Sequence, residues 1–378
     1  MLSGGQATVT PAESRWLEAR RFLNANRPYL TDIAVGLYRN AVRVGRSKLL
    51  SRPGWVPGSP IPIDHVSLEW QPDALEPAIT GDEPESESAR PPRMDGTRYP
   101  TYADAMGALA RPGIFENRPV YRLVAAKLHA TDAVLSFGRG AYFSTINTCE
   151  AVGHELAAAH LASARMPTDM SELPFRALIG DPCEPIRRPM LAAITTLTLR
   201  RAPSGAASFL LHWRDPARVA SGGGIYQVTP VGVFQPAGTS PESEMRDFDL
   251  WRCIAREYSE ELLGSPEHGD LDYATWPFFE ALTEARVRGL CRPYCLGLGV
   301  DPLTLVTDIL AVVVFDSATF DSLFEDLVAR NAEGDTTPDV PFTAATVERF
   351  VGSEAMQPAG AGVLDLAWNH RGALLAIP

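Results

Sequence analysis

The chain has 378 residues, 45% of them hydrophobic, and a formal net charge of −12. That length suits two domains, or one with large additions, and the apolar content is enough for a sizeable core. The acidic balance excludes a surface that binds nucleic acid all over, although a metal ion could bridge the protein to a polyanion locally. Five cysteines, Cys149, Cys183, Cys253, Cys291 and Cys295, are an odd number in a long chain, which reads as reduced thiols rather than a disulfide scaffold. The opening MLSGGQATVTPAESR has no apolar signal core, and the longest apolar run, Ile309 to Phe315, is too short to span a bilayer. A cytoplasmic protein with no membrane partner is therefore expected. Lys48 and Lys127 are the only lysines, a coding bias to which no function is attached.

Residues 1–52 are expected to form a basic helical segment, since PAESRWLEARRFLNANRPYL carries Trp16, Leu17, Phe22 and Leu23 at helical spacing. Nine Arg or Lys against three Asp or Glu lie in residues 1–55. This excess fits a nucleic-acid or partner surface, but a solvated amphipathic helix is the plainer reading. Residues 53–100, with GDEPESESARPPR, read as a Pro- and acid-rich linker or loop. Residues 101–180 read as an α+β region: two strands joined by a turn, then the helix TCEAVGHELAAAHLASA. His154 and His160 lie six apart there, against the four-residue spacing that a His-Glu-x-x-His zinc helix requires, so an ordinary helix is expected.

From 185 onwards the pattern is mostly strand. MLAAITTLTLRRAPSGAASFLLHWRD reads as a hairpin, SGGGIYQVTPVGVFQPAG as a glycine-rich loop, a strand and a turn. An acidic helix follows, then an insertion over about 265–300 with a helix of its own. LTLVTDILAVVVFD reads as a strongly apolar strand pair or one long strand, DSATFDSLFEDLVARN as a capped helix, and TAATVERFVGSE as a last helical stretch. Trp276, Phe278 and Phe279 suit base stacking or core, Cys291-x-x-x-Cys295 suits a metal or redox pair or inert thiols, and Asp301 and Asp308 suit metal ligation or strand ends.

The acidic helix, DFDLWRCIAREYSEELLG, carries the chemistry. On a helical wheel Trp251, Ile254, Ala255, Tyr258 and Leu262 fall on one side, and Glu257, Glu260 and Glu261 on the other. Three carboxylates within one turn repel one another. Either water and intrahelical arginines screen them, or a hard divalent cation with oxygen ligands sits between them.

REYSEE, set after a strand hairpin and a Pro/Gly turn and before the apolar strand LTLVTDILAVVVFD, resembles the Arg-Glu-U-x-Glu-Glu core of the Nudix box, where U is a bulky aliphatic residue. The resemblance covers roughly residues 185–378. It departs from the full box in three places. Eleven residues, not seven, separate Glu244 from Arg256, Tyr258 stands at the aliphatic position, and Leu263 replaces the following glycine, with Gly264 one residue late. Gly238 has the box spacing to Glu244; Gly232 is the other candidate for the box glycine.

The resemblance implies a Nudix-type mixed β-sheet sandwiched by helices, an α/β/α arrangement within an α+β chain, preceded by the additional α+β region. It implies a pyrophosphohydrolase that cleaves a diphosphate linkage in a nucleoside diphosphate derivative with Mg²⁺ or Mn²⁺. Glu257, Glu260 and Glu261 would hold the metal and Glu257 would assist as base. Arg256 would orient them through a salt bridge, with Glu244 as candidate partner. A Nudix-fold nucleotide sensor with weak or no catalysis is the alternative, favoured by the long N-terminal half and the stretched box. A homo-oligomer and a local nucleic-acid contact remain open among the partners.

Overall fold

The structure, a computed structural model, describes residues 9–129, 131–163, 165–214, 224–328 and 334–376. The glycine-rich loop expected at 221–224 lies almost wholly outside them, as do residues 329–331 of the helix expected over 316–331, whose described part is helical over Ser317–Leu323. The chain is a mixed α+β protein built on a curled mixed sheet. In spatial order the sheet runs Val42–Arg43, Leu50–Ser51, Cys291–Val300, Thr307–Asp316, Ala192–Arg201, Ala207–Arg214 and Gly334–Pro341. Ile225–Val228 adds to Ala207–Arg214 and Val231–Val233 to Ala192–Arg201. The two central strands, Thr307–Asp316 and Ala192–Arg201, are parallel.

The strand Thr307–Asp316 shows why helices cover both faces. Ile309, Ala311, Val313 and Phe315 enter one apolar cluster together with Trp251, Ile254, Ala255 and Tyr258 of the acidic helix. Leu310, Val312 and Val314 enter another with Val363, Leu364 and Ala367 of the helix Pro358–Asn369. Successive residues of a strand face opposite sides, so an unbroken apolar run needs a cover on each.

Two expectations differ from the structure. Residues 53–100 are not a free linker: Ile61–Pro62 pairs with Cys291–Val300, and Val66–Trp70 joins a second sheet with Pro119–His129 and Asp132–Ala141. Trp55, Ile63, Ile79 and Tyr99 are buried. Burying one Trp is worth on the order of 4–5 kcal/mol of gross transfer energy, more than this irregular backbone loses at a single residue. The insertion ends near residue 290, because Cys291–Val300 is a sheet strand. Its glycines read as loop, but Gly297 has φ +147° at a register shift, and a Cβ on Gly299 would overlap Leu49.

The basic N-terminal segment is neutralised from within. Arg20 and Arg27 pair with Glu150, Arg46 with Asp365 and Glu348, Lys48 with Asp32, and Arg52 with Glu184. Five of its nine cations are thereby committed, which weighs against a nucleic-acid surface. All five cysteines are buried free thiols. Trp276, Phe278 and Phe279 pack against the core. Among the described residues no helix is long and apolar enough to cross a membrane.

Asp308, next to the start of the central strand, is buried and accepts a 2.8 Å hydrogen bond from Thr195 Oγ1. Burial pushes its carboxyl up to about 7, against the Thr195 bond. The folded pKa exceeds the unfolded one, so the stabilising contribution is full below about pH 4 and is lost as pH rises through about 7. Asp308→Asn removes this titration. The variant should gain roughly 2–4 kcal/mol on the wild type between pH 5 and pH 8. Urea midpoints across that range check it; parallel profiles would refute the assignment.

Candidate active site

The acidic helix Leu250–Glu257 begins at Asp249, whose side chain accepts from the Arg252 amide at 2.8 Å. Its apolar stripe docks on the sheet and fixes the rotation of the helix. Tyr258 is wholly buried between Phe315 and Phe324, and its hydroxyl meets Thr198 Oγ1 at 2.9 Å. That bond accounts for an aromatic residue here: a tyrosine can be buried when its hydroxyl has a partner, and this one pins the helix to the strand Ala192–Arg201.

Over Tyr258–Leu262 the helix widens to a π turn, a local irregularity that is frequent at functional sites. Glu257, Glu260 and Glu261 all line one cleft of about 680 Å³. The sheet supplies its other wall. His212 and Arg214 lie two apart on one strand, and Gln227 stands directly opposite His212 on the next. The loop that follows the π turn contributes Glu267.

Each carboxylate has its own support. Glu261 accepts from Thr229 Oγ1 at 2.6 Å and from the Val231 amide at 2.9 Å. Glu260 accepts from the His268 amide at 3.2 Å. Glu257 lies against Gly232, where a Cβ would overlap its carboxyl. Loss of surrounding water, then the charges of Glu260 and Glu261, hold the Glu257 pKa well above the usual carboxylate range. Burial also raises Glu260, against the His268 amide.

Arg256 points away from the cleft and is buried. It donates to Gln235 O at 2.6 Å and to Tyr273 Oη at 3.0 Å, and lies 3.5 Å from Asp247 Oδ2. Glu244 is not its partner: it pairs with Arg139 at 3.0 Å and borders a separate 290 Å³ hollow with Gly238. The chain between residues 238 and 249 turns Asp247, not Glu244, toward the helix. The structure thus brings together Glu257, Glu260, Glu261 and Gly232, holds Arg256 behind them, and leaves Glu244 and Gly238 outside.

Sequence reasoning missed His212, Arg214, Gln227, Thr229, Glu267 and His268. Only the first two left a signal, as polar residues two apart at the end of the apolar strand ASFLLHWR.

Among the described residues no three His, Cys, Asp or Glu side chains stand grouped as a metal site. The three glutamates are turned to separate supports. In kind the donors do fit a hard divalent cation, being carboxylate oxygens on one cleft whose mutual repulsion a cation would relieve. Rotation of Glu260 and Glu261 off their backbone partners would be needed to converge on one ion. Compared with known proteins, the chain matches no family model and no curated protein.

Proposed function

We propose that the protein is a Nudix-type pyrophosphohydrolase acting on a nucleoside diphosphate derivative. The observation that carries this reading is that Glu257, Glu260 and Glu261 all line one cleft, whose other wall holds His212 and Arg214. These three glutamates would hold Mg²⁺ or Mn²⁺. Bound there, the cation would supply charge neutralisation on the diphosphate and lower the pKa of a water. Arg214 offers a planar fork of donors to anionic phosphate oxygens, and His212 a further polar contact. Glu257, whose pKa burial holds above the usual carboxylate range, is in its ionised form a stronger base than a free carboxylate and suits proton acceptance from the attacking water. Arg256 positions the turn from behind.

The test is hydrolysis of a panel of nucleoside diphosphate compounds with Mg²⁺ or Mn²⁺ by the full chain. Glu260→Gln and Glu261→Gln should each lower turnover by at least about 100-fold. The thermal midpoint should hold or rise, since each change relieves repulsion. Turnover that survives both changes refutes the assignment.

A second reading, a Nudix-fold nucleotide sensor, draws support from Glu261, which Thr229 and Val231 engage, so that it is not grouped with the other two glutamates as a metal site. Saturable, metal-independent nucleotide binding without turnover would favour it.

A further inference from the structure

The helices Pro11–Ala25 and Ala151–Ser163 pack side by side far from the acidic helix in sequence, and between them lies a cleft of about 390 Å³. Its walls follow from spacing. Ala12, Trp16 and Ala19 share one face of the first helix, and His154, Ala158 and Ala162 one face of the second. Alanines at four of these six positions leave the space unfilled. Trp16 and His154 stack within it, ring centroids 4.9 Å apart at 28°. The volume falls in the range of small-molecule sites, which favour gaps between helices.

The polar groups are specific. Trp16 Nε1 is already satisfied by Ala89 O at 2.9 Å, so Trp16 can offer a ligand only apolar contact. Arg20 donates to Tyr102 Oη at 3.3 Å, and arginine cannot accept. The Tyr102 hydrogen is therefore free for His154 Nδ1, also at 3.3 Å. The imidazole, kept neutral by burial and by Arg20, which lower its pKa to about 3, then carries its hydrogen on Nε2. His154 is 1% exposed and Nε2 has no partner. A buried donor left unmatched is unfavourable, and an acceptor oxygen would relieve it.

The mouth carries Arg15, exposed and without an ion pair among the described residues, and Arg98, held by Glu87 at 3.2 Å. Glu18 and Glu87 also stand at the rim and would repel a multiply charged anion.

We propose that this cleft binds a planar aromatic monocarboxylate, its ring in the apolar slot beside Trp16 and its carboxylate between His154 Nε2 and Arg15. The proposal does not depend on the hydrolase reading, since it shares no residue with the acidic cleft.

The experiment is calorimetric titration of the full chain with 2-naphthoate. One saturable site is expected. Ala158→Leu, a substitution compatible with the helix at a half-buried position, should fill the slot and weaken binding at least about 20-fold, while Arg15→Gln should weaken it about fivefold. Circular dichroism confirms that each variant is folded; if Ala158→Leu is not, Ala162→Leu at the exposed rim takes its place. Absence of saturable 2-naphthoate binding, binding indifferent to the slot-filling change, or equal competition by inorganic phosphate would each overturn the proposal.

Discussion

Arg256→Met is expected to destabilise the protein by about 3–5 kcal/mol, the cost of removing one partner from a buried ion pair. The guanidinium joins three pieces of chain that local sequence does not connect. It holds the acidic helix to the loop at Gln235 O, to Asp247, and to Tyr273 in the insertion. Asp247 is wholly buried, and its other cation, Arg246, is partly exposed at 3.2 Å. Removing Arg256 leaves a buried carboxylate with Arg246 as its only cation among the described residues and the Gln235 carbonyl without this donor, and takes one hydrogen bond from the Tyr273 hydroxyl. Arg256→Lys keeps the charge but cannot reach several acceptors at once, so roughly 1–3 kcal/mol is expected. Urea denaturation of both variants checks the order. A Met variant as stable as the wild type would mean that Arg246 and the Ala237 amide, which donates to Asp247 at 2.8 Å, suffice for this carboxylate. If hydrolysis is established, the Lys variant should also lose turnover beyond its stability loss, because the π turn would no longer be held against the loop at Gln235.

What was legible in the sequence was what periodicity encodes. The rotation of the acidic helix followed from Trp251, Ile254, Ala255, Tyr258 and Leu262, and these residues do bury against the sheet. The run Ile309 to Phe315 announced apolar strand, and the structure covers that strand on both faces. Three things had no local signature. Cys291–Val300 hides behind a proline and two glycines because its backbone bulges and runs close to Leu49 and Trp55. Residues 53–100 bury Trp55 and Tyr99 from irregular backbone, and irregular segments have no period to detect. The partner of Arg256 depended on the path of the chain between Gly238 and Asp249, where a charge count offers Glu242, Glu244, Asp247 and Asp249 alike. The same holds for the N-terminal cations: the match of Arg46 to Asp365 spans 319 positions.

Gly232→Ala is expected to disable the acidic cleft while costing little stability. Gly232 lies on the strand Val231–Val233, paired with Ile194 of the central sheet, so its backbone is fixed. A Cβ built there would overlap the Glu257 carboxyl. The strand cannot yield without breaking its ladder, whereas the glutamate is the far end of a flexible side chain and will swing away. The cost is then an altered rotamer and some repacking, about 1–2 kcal/mol. The consequence for chemistry is larger. Glu257 would leave the position it shares with Glu260 and Glu261, and a displacement of about 1 Å at a reacting centre costs on the order of 100-fold in rate. Gly238→Ala is the control, because a Cβ there meets Asp270 and Ser243 and not the glutamates. Turnover and thermal midpoints of the two variants, measured side by side, separate the glycines that the sequence left as alternatives. A large loss of activity at 232, with 238 near wild type, places the box glycine in PVGVF. Equal losses at both positions, or none at 232, would mean that the approach of Gly232 to Glu257 has no bearing on catalysis.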